Sequence, residues 1–283
     1  MMERENGNRF VMPAVVMLSL VTIYPLLSVL YLSLHRRLPI FDVSKFTRLD
    51  NYRFLLTDDR FWNALRNTVY FAATSVTLEL LFGLGIALLL NRSFRLKGVV
   101  TALVLIPWAV PTVVSARMWE WMYNTDFGIL NYLLGMKINW LGSPFWAMNA
   151  AVFMDVWKTM PFVVILLLAG LKMIPREIYQ AARIDGAGAW PIFMKITLPL
   201  LMPVILVVLI LRTLDALRIF DAVYVLTGGG PANTTETLSI YAYKVLFQTL
   251  QFGYGSTLSV VIFLCIGSLS ILYLRLLRAE GSR

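Results

Sequence analysis

Three ionisable residues lie where an apolar chain can least tolerate charge. Glu79 falls inside the run Asn67–Leu90, and Asp155 and Lys158 fall inside the run Ala147–Leu168. A charge at the centre of a bilayer costs at least ~2.5 kcal/mol on insertion scales, so such residues face partners or a polar path. At about 1.5 Å per helical residue, all three lie ~12–18 Å along their runs, near mid-membrane. An ammonium donor and two carboxylate acceptors can replace the water that a polar solute loses on entering such a path. Trp108 and Trp157 are candidate stacking faces along such a path, with packing in an apolar core the more ordinary role for each. Asp215, in a further apolar run, completes the candidate path.

Spacing supplies a second account of the same charges. Asp155 with Lys158, Arg117 with Glu120, and Arg212 with Asp215 stand three residues apart, as do Arg218 and Asp221. Neighbours at i and i+3 on a helix can neutralise one another. Arg117 and Glu120 lie ~27–31 Å along the run Val99–Trp121, beside Trp119, Trp121 and Tyr123, which reads as an interfacial belt. Arg212 and Asp215 lie ~20–24 Å along theirs, in its outer half.

Enzyme chemistry finds no support. Gly228-Gly229-Gly230-Pro231 lacks the lysine and following helix of a phosphate loop and reads as a tight turn between the fifth helix and a surface segment. One histidine, His35, excludes a multi-histidine metal site, and one cysteine, Cys265, excludes an internal disulfide. No catalytic, cofactor-binding or metal-ligating residues are assigned.

The elements that must hold these residues are membrane helices. The 283 residues are 59% hydrophobic and 14% charged, too little charge for a water-facing surface of that size, since soluble domains carry about 25%. A spanning helix needs about 20 mostly apolar residues. Six stretches qualify: 10–34, 67–90, 99–121, 147–168, 199–220 and 256–277. The reading is an all-α polytopic membrane bundle of about six helices, one domain over 1–283. Phe10–Leu34 is longer than a signal-peptide core and lacks a small-residue exit, so it is expected to be retained. Pro25, Pro107, Pro111 and Pro161 inside the runs imply kinked, packed helices.

The net charge of +9 flanks the apolar runs, which suits membrane insertion rather than nucleic acid. With a cytoplasmic N-terminus, the inner side holds Arg4, Arg9, Arg92, Arg95, Lys97 and the bases from Lys172 to Lys195. It also holds Arg275, Arg278 and Arg283. The first outer loop breaks this pattern with seven bases, among them Arg36, Arg37, Lys45, Arg48 and Arg53, so charge alone does not fix topology.

The connection between the fourth and fifth helices carries the most specific signal. It runs from Ile174-Pro175-Arg176-Glu177 through Gln180-Ala181-Ala182, three residues, Gly186, nine residues, Ile196, then Leu198-Pro199. This resembles the E-A-A-x3-G-x9-I-x-L-P loop of binding-protein-dependent ABC importer permeases, with Gln180 where that pattern has glutamate. The segments around Asn51-Tyr52, Phe61–Thr68, Trp157–Phe162 and Arg212–Pro231 resemble the sugar branch, of the maltose, trehalose and glycerol-phosphate type.

The resemblance implies a type I importer permease in the inner membrane of a prokaryote, with both termini cytoplasmic. The loop would form a short helix docking on an ATPase, with Gln180, Ala181, Ala182, Asp185 and Gly186 as coupling residues. Glu177 or Asp185 could replace the charge missing at Gln180. The implied partners are a second, similar permease, two ATP-binding subunits that hold ATP and Mg, an extracytoplasmic sugar-binding protein, and membrane lipid. The implied solute is a disaccharide such as trehalose or maltose, or a similar glycoside. The alternative is an ion-coupled secondary sugar transporter or channel, for which two related halves with discontinuous helices are expected and not seen.

Overall fold

The structure, a computed structural model, describes residues 2–281. Arg283 lies outside them, as do the side chains of Arg4, Arg9 and Arg278. The chain forms α1 (Met2–Ser33), β1 (His35–Leu38), β2 (Val43–Phe46), α2 (Asp50–Thr57), α3 (Asp59–Asn91), α4 (Lys97–Ala109), α5 (Thr112–Met122) and α6 (Ile129–Leu134). Beyond these lie α7 (Pro144–Met173), α8 (Arg176–Ile184), α9 (Ala189–Ile192), α10 (Leu198–Ala216), α11 (Asp221–Thr227), α12 (Leu238–Tyr243) and α13 (Phe252–Gly281). Among the described residues, five helices are long and apolar enough to cross a membrane, or six if α4 and α5 count as one span.

That broken span corrects the continuous helix expected over 99–121. α4 and α5 meet at 98°, with Val110 and Pro111 both in extended conformation. Pro111 has no N–H to give to the preceding turn and biases Val110 away from helical geometry. The axial distance assigned to Arg117 and Glu120 therefore fails, although the two do pair at 2.6 Å. The aromatic belt also dissolves in part. Trp121 is exposed, whereas Tyr123 is buried and donates to the Ala150 carbonyl at 3.0 Å. The fifth span runs over Ala189–Ala216 rather than 199–220, because α9 passes into α10 through a π-helical turn at Phe193–Thr197.

Two compact units are present. One comprises the chain up to Phe61 together with Tyr241–Cys265, the other Trp62–Ile240 and the chain from Ile266 on. In the first, β1 and β2 form an antiparallel ribbon that sets Arg36 directly opposite Lys45, and α1 exposes apolar side chains such as Met17, Leu18 and Val21. Cys265 is exposed.

The second unit is layered. One apolar cluster gathers Phe71 and Val76 of α3, Val152 of α7, Ala216 and Ile240. Another gathers Leu90 of α3, Leu167 and Leu171 of α7, and Leu201 of α10. Along the three helices Glu79, Lys158 and Arg212 fall between these clusters. Helix packing at the second cluster is close: a Cβ at Gly170 would lie 2.8 Å from side-chain carbons of Leu201 and Val204.

Gly170→Ile should therefore force α7 and α10 apart and destabilise the protein by about 1–3 kcal/mol, the usual cost of overpacking. Thermal unfolding in detergent checks this; a melting point equal to wild type would contradict the packing described.

Candidate functional site

Between the two apolar layers, Arg212 of α10 is the hub of a buried ionic cluster. Its Nε lies 2.5 Å from Glu79 Oε2 and its Nη2 2.9 Å from Glu79 Oε1, a two-point clasp with α3. Nη2 also reaches Asp155 Oδ2 of α7 at 3.4 Å, and Nη1 reaches Asp215 at 2.6 Å. Thr159 of α7 donates from its hydroxyl to Glu79 or to the Asp155 carbonyl, both 2.6 Å away. Planar guanidinium geometry suits this: five N–H donors in a fixed fork can serve several acceptors at once.

The expected Asp155–Lys158 pair is not made among the described residues. Asp155 turns to Arg212, and the Lys158 ammonium donates to the Val110 carbonyl at 2.9 Å. That carbonyl sits at the α4–α5 break, where the helical ladder is interrupted. A backbone carbonyl left bare at this depth costs several kcal/mol, so the lysine satisfies the group that the proline break exposes. The expected Arg212–Asp215 pair is made, but it is one arm of an interhelical network rather than a local neutralisation.

Beside this break opens a cavity of about 370 Å³, within the roughly 300–1,000 Å³ of small-molecule sites. Trp108 and Phe162, with ring centroids 6.0 Å apart, give it an aromatic wall. Thr112, Lys158, Thr159, Asp215 and Arg218 supply hydroxyl, ammonium, carboxylate and guanidinium groups. Of the candidate path residues, Trp108, Lys158 and Asp215 line this cavity. Glu79 and Asp155 are buried and lie outside its lining, where they hold Arg212. Trp157 packs edge-on against Trp119 at 5.7 Å, also outside the lining. Thr112, Thr159 and Phe162 were not legible as wall residues, since threonine and phenylalanine in apolar runs give no signal by themselves; Arg218 reads in sequence only with Asp221, whereas it lies 3.4 Å from Asp215.

The connection after α7 is the short helix α8, ended by Asp185 and by Gly186 at φ +79°. Gln180, Ala181, Asp185 and Gly186 are exposed, and Ala182 is buried. The triple-glycine turn also needs a correction. Gly228 caps α11 in left-handed conformation, and the stretch beyond the turn does not lie at the surface, because Thr235, Glu236 and Thr237 are fully buried.

A broken membrane helix beside a polar cavity, with a short exposed helix between two later spans, defines an integral membrane permease. The chain belongs to the binding-protein-dependent transport system inner membrane component family, whose model matches residues 79–279.

Among its relatives, the trehalose/maltose transport system permease protein MalF of Thermococcus litoralis is 44% identical over 277 residues, covering 96% of this chain and 94% of that protein. The trehalose transport system permease protein SugA of Mycobacterium tuberculosis is 40% identical over 282 residues, 99% of this chain and 91% of that one. The sulfoquinovosyl glycerol transport system permease protein SmoG of Agrobacterium fabrum is 39% identical over 277 residues, 95% of this chain and 89% of that one. The fold matches a chain of a bacterial ABC transporter that imports the acidic polysaccharide alginate, with TM-score 0.85 and 20% identity over 98% of this chain and 96% of that one. Family membership sets aside the ion-coupled alternative.

Arg212→Gln should leave Glu79 and Asp155 buried without their cation and cost about 3–5 kcal/mol, as breaking a buried pair does. The substitution at exposed Arg117→Gln should change stability by under about 1 kcal/mol. Chemical unfolding in detergent separates them; equal small effects would deny the cluster its structural role.

Proposed function

We propose that this chain is the membrane permease subunit of an ATP-driven importer for a small sugar or glycoside, and that the cavity beside the α4–α5 break is part of the solute's path. The observation that carries the reading is full-length similarity to permeases for trehalose, maltose and sulfoquinovosyl glycerol. The cavity's chemistry supports it: aromatic faces for the apolar side of a sugar ring, and donors and acceptors for its hydroxyls. Trp108, Lys158 and Asp215 are the contact residues, while Glu79 and Asp155 act through Arg212.

ATP and Mg bind on two partner ATPase subunits, and a second, similar permease completes the path. α8 docks on the ATPase through the face bearing Ala181 and Asp185, which places both termini in the cytoplasm. The alginate transporter was captured in complex with a pentasaccharide-bound periplasmic protein. A binding protein likewise delivers solute here, and the β1–β2 ribbon helps receive it. Arg36 opposite Lys45 is unfavourable within a two-stranded ribbon, and an acidic partner surface would relieve it.

Three experiments test these assignments. In the reconstituted transporter, Trp108→Ala and Asp215→Asn should raise the KM for the transported sugar roughly 2- to 10-fold, the equivalent of ~0.5–1.5 kcal/mol per contact, with the melting point held. Unchanged KM and unchanged sugar preference would remove the cavity from the path. Gly186→Val places a β-branched residue at φ +79° and should abolish sugar-stimulated ATP hydrolysis while the spans stay inserted; normal coupling would dismiss the docking assignment. Neutralising Arg36, Arg37 and Lys45 should slow association of the binding protein and flatten its salt dependence. An association rate indifferent to both would mark the ribbon as merely solvated.

A further inference from the structure

A cavity of about 610 Å³ lies away from the proposed solute path, where α8 meets the ends of α3, α7 and α10. Three guanidiniums converge on it: Arg92 just beyond α3, and Arg176 and Arg183 of α8. No carboxylate lines it, and none of the three arginines pairs with one among the described residues. Like charges gathered around one hollow without a counter-charge repel one another, and an anion removes that cost.

The face of α8 is divided. At 3.6 residues per turn, Arg176, Tyr179, Gln180 and Arg183 fall on one stripe, and these four line the cavity. Glu177, Ala181, Ile184 and Asp185 fall on the opposite stripe and are outside the lining. Both acids of the helix are thus turned away from the hollow. Gln180 matters here: a glutamate at that position would stand three and four residues from Arg183 and Arg176 and neutralise them. With glutamine, the cavity keeps its full positive charge and gains an amide donor.

Position and floor identify the anion's class. Asn91 ends the span Asp59–Asn91, and Ala189 begins the span Ala189–Ala216, so the cavity sits at the ends of two spans. Leu88, Leu171, Ile192 and Phe193 supply apolar surface beneath the basic rim. The π-helical turn at Phe193–Thr197 widens α9–α10 at this point, a device that recurs at functional sites. A hydrated free anion would leave that floor unused; a phosphodiester on a glycerol backbone with acyl chains would cover it. We propose that this cavity holds the headgroup of an anionic phospholipid, with its phosphate among Arg92, Arg176 and Arg183. Basic pockets between spanning helices at the membrane edge have the chemistry for such headgroups.

The test uses the full chain in detergent, stripped of lipid and titrated with phosphatidylglycerol or phosphatidylcholine, with bound lipid read by native mass spectrometry. Wild type should bind phosphatidylglycerol at least about tenfold more tightly than phosphatidylcholine. At roughly fivefold per arginine, the triple variant Arg92→Gln, Arg176→Gln, Arg183→Gln should lose on the order of 100-fold. The triple lysine variant should stay within about fivefold of wild type, and Arg275→Gln should change nothing. Gln180→Glu, which leaves every arginine in place, should weaken binding about fivefold and serves if the triple variant does not fold.

Equal affinity for the two lipids, or undiminished binding by the glutamine variants, overturns the proposal. Displacement of phosphatidylglycerol by millimolar inorganic phosphate would assign a free anion instead and overturn the lipid reading. No ATPase is present in this experiment, so its outcome is separate from whether the opposite stripe of α8 couples to one.

Discussion

One guanidinium sets the geometry of the membrane-spanning unit. Arg212 is 4% exposed and Glu79 0%, so neither charge has water to fall back on. In such surroundings an unpaired ion costs several kcal/mol, which makes the pairing obligatory rather than merely favourable. The consequence is registration. Leucine or valine interfaces tolerate a helix sliding by a fraction of a turn, because apolar contacts are non-directional. Two N–H···O bonds from one fork to one carboxylate do not. Glu79, Asp155 and Arg212 therefore fix where α3, α7 and α10 stand along one another, and the apolar clusters pack on either side of that level.

The same registration explains how a helix can break at membrane depth. Proline at position 111 removes ladder hydrogen bonds, and the Val110 carbonyl would be stranded if nothing faced it. Lys158 faces it because α7 is held in place by its neighbour Asp155 and by Thr159, both bound into the Arg212 cluster. Irregular backbone in a membrane is tolerated where it is buried in protein or lines a cavity. Here both conditions meet: the carbonyl is capped, and Trp108 and Thr112 on the two sides of the break look into the hollow. Polar lining and broken helix are one feature with one cause.

Much of this was legible in sequence, and the boundary is physical. Apolar run length gave the spans, because a membrane imposes that length locally. The signature spacing placed α8, because Gly186 needs its left-handed turn at one position. Glu79, Asp155 and Lys158 stood out because charge in lipid is expensive wherever it occurs. Their partners did not. Glu79 and Arg212 are 133 residues apart, and the i,i+3 spacing of Asp155 and Lys158 offered a sufficient local answer that tertiary contacts override. The break at Pro111 was visible only as a kink, since the 98° turn depends on a lysine from another helix satisfying the carbonyl that the proline frees.

Mechanical consequences arise from which joints are stiff. α7 carries Lys158 and Thr159 on the cavity wall and continues through Ile174-Pro175 directly into α8. α10 carries Arg212 and starts, through the π-helical turn, at the cavity behind α8. A displacement of α8 thus acts on the base of two helices clamped together by Arg212, and the clamp lets them move only as a pair with α3. Rigid coupling of this kind transmits motion without dissipating it, but something must give for the cavity to change shape. α4 and α5 are joined by two extended residues and held to α7 by the hydrogen bond from Tyr123, just beyond α5, to Ala150, by the ring contacts Trp108–Phe162 and Trp119–Trp157, and by the Lys158–Val110 hydrogen bond. The last of these contributes ~1.5–3 kcal/mol to the position of the joint, against the several groups that would be bared by parting Arg212 from its carboxylates. The joint at Val110 is therefore weaker than the Arg212 cluster, and it lies beside the cavity lined by Trp108, Lys158 and Asp215.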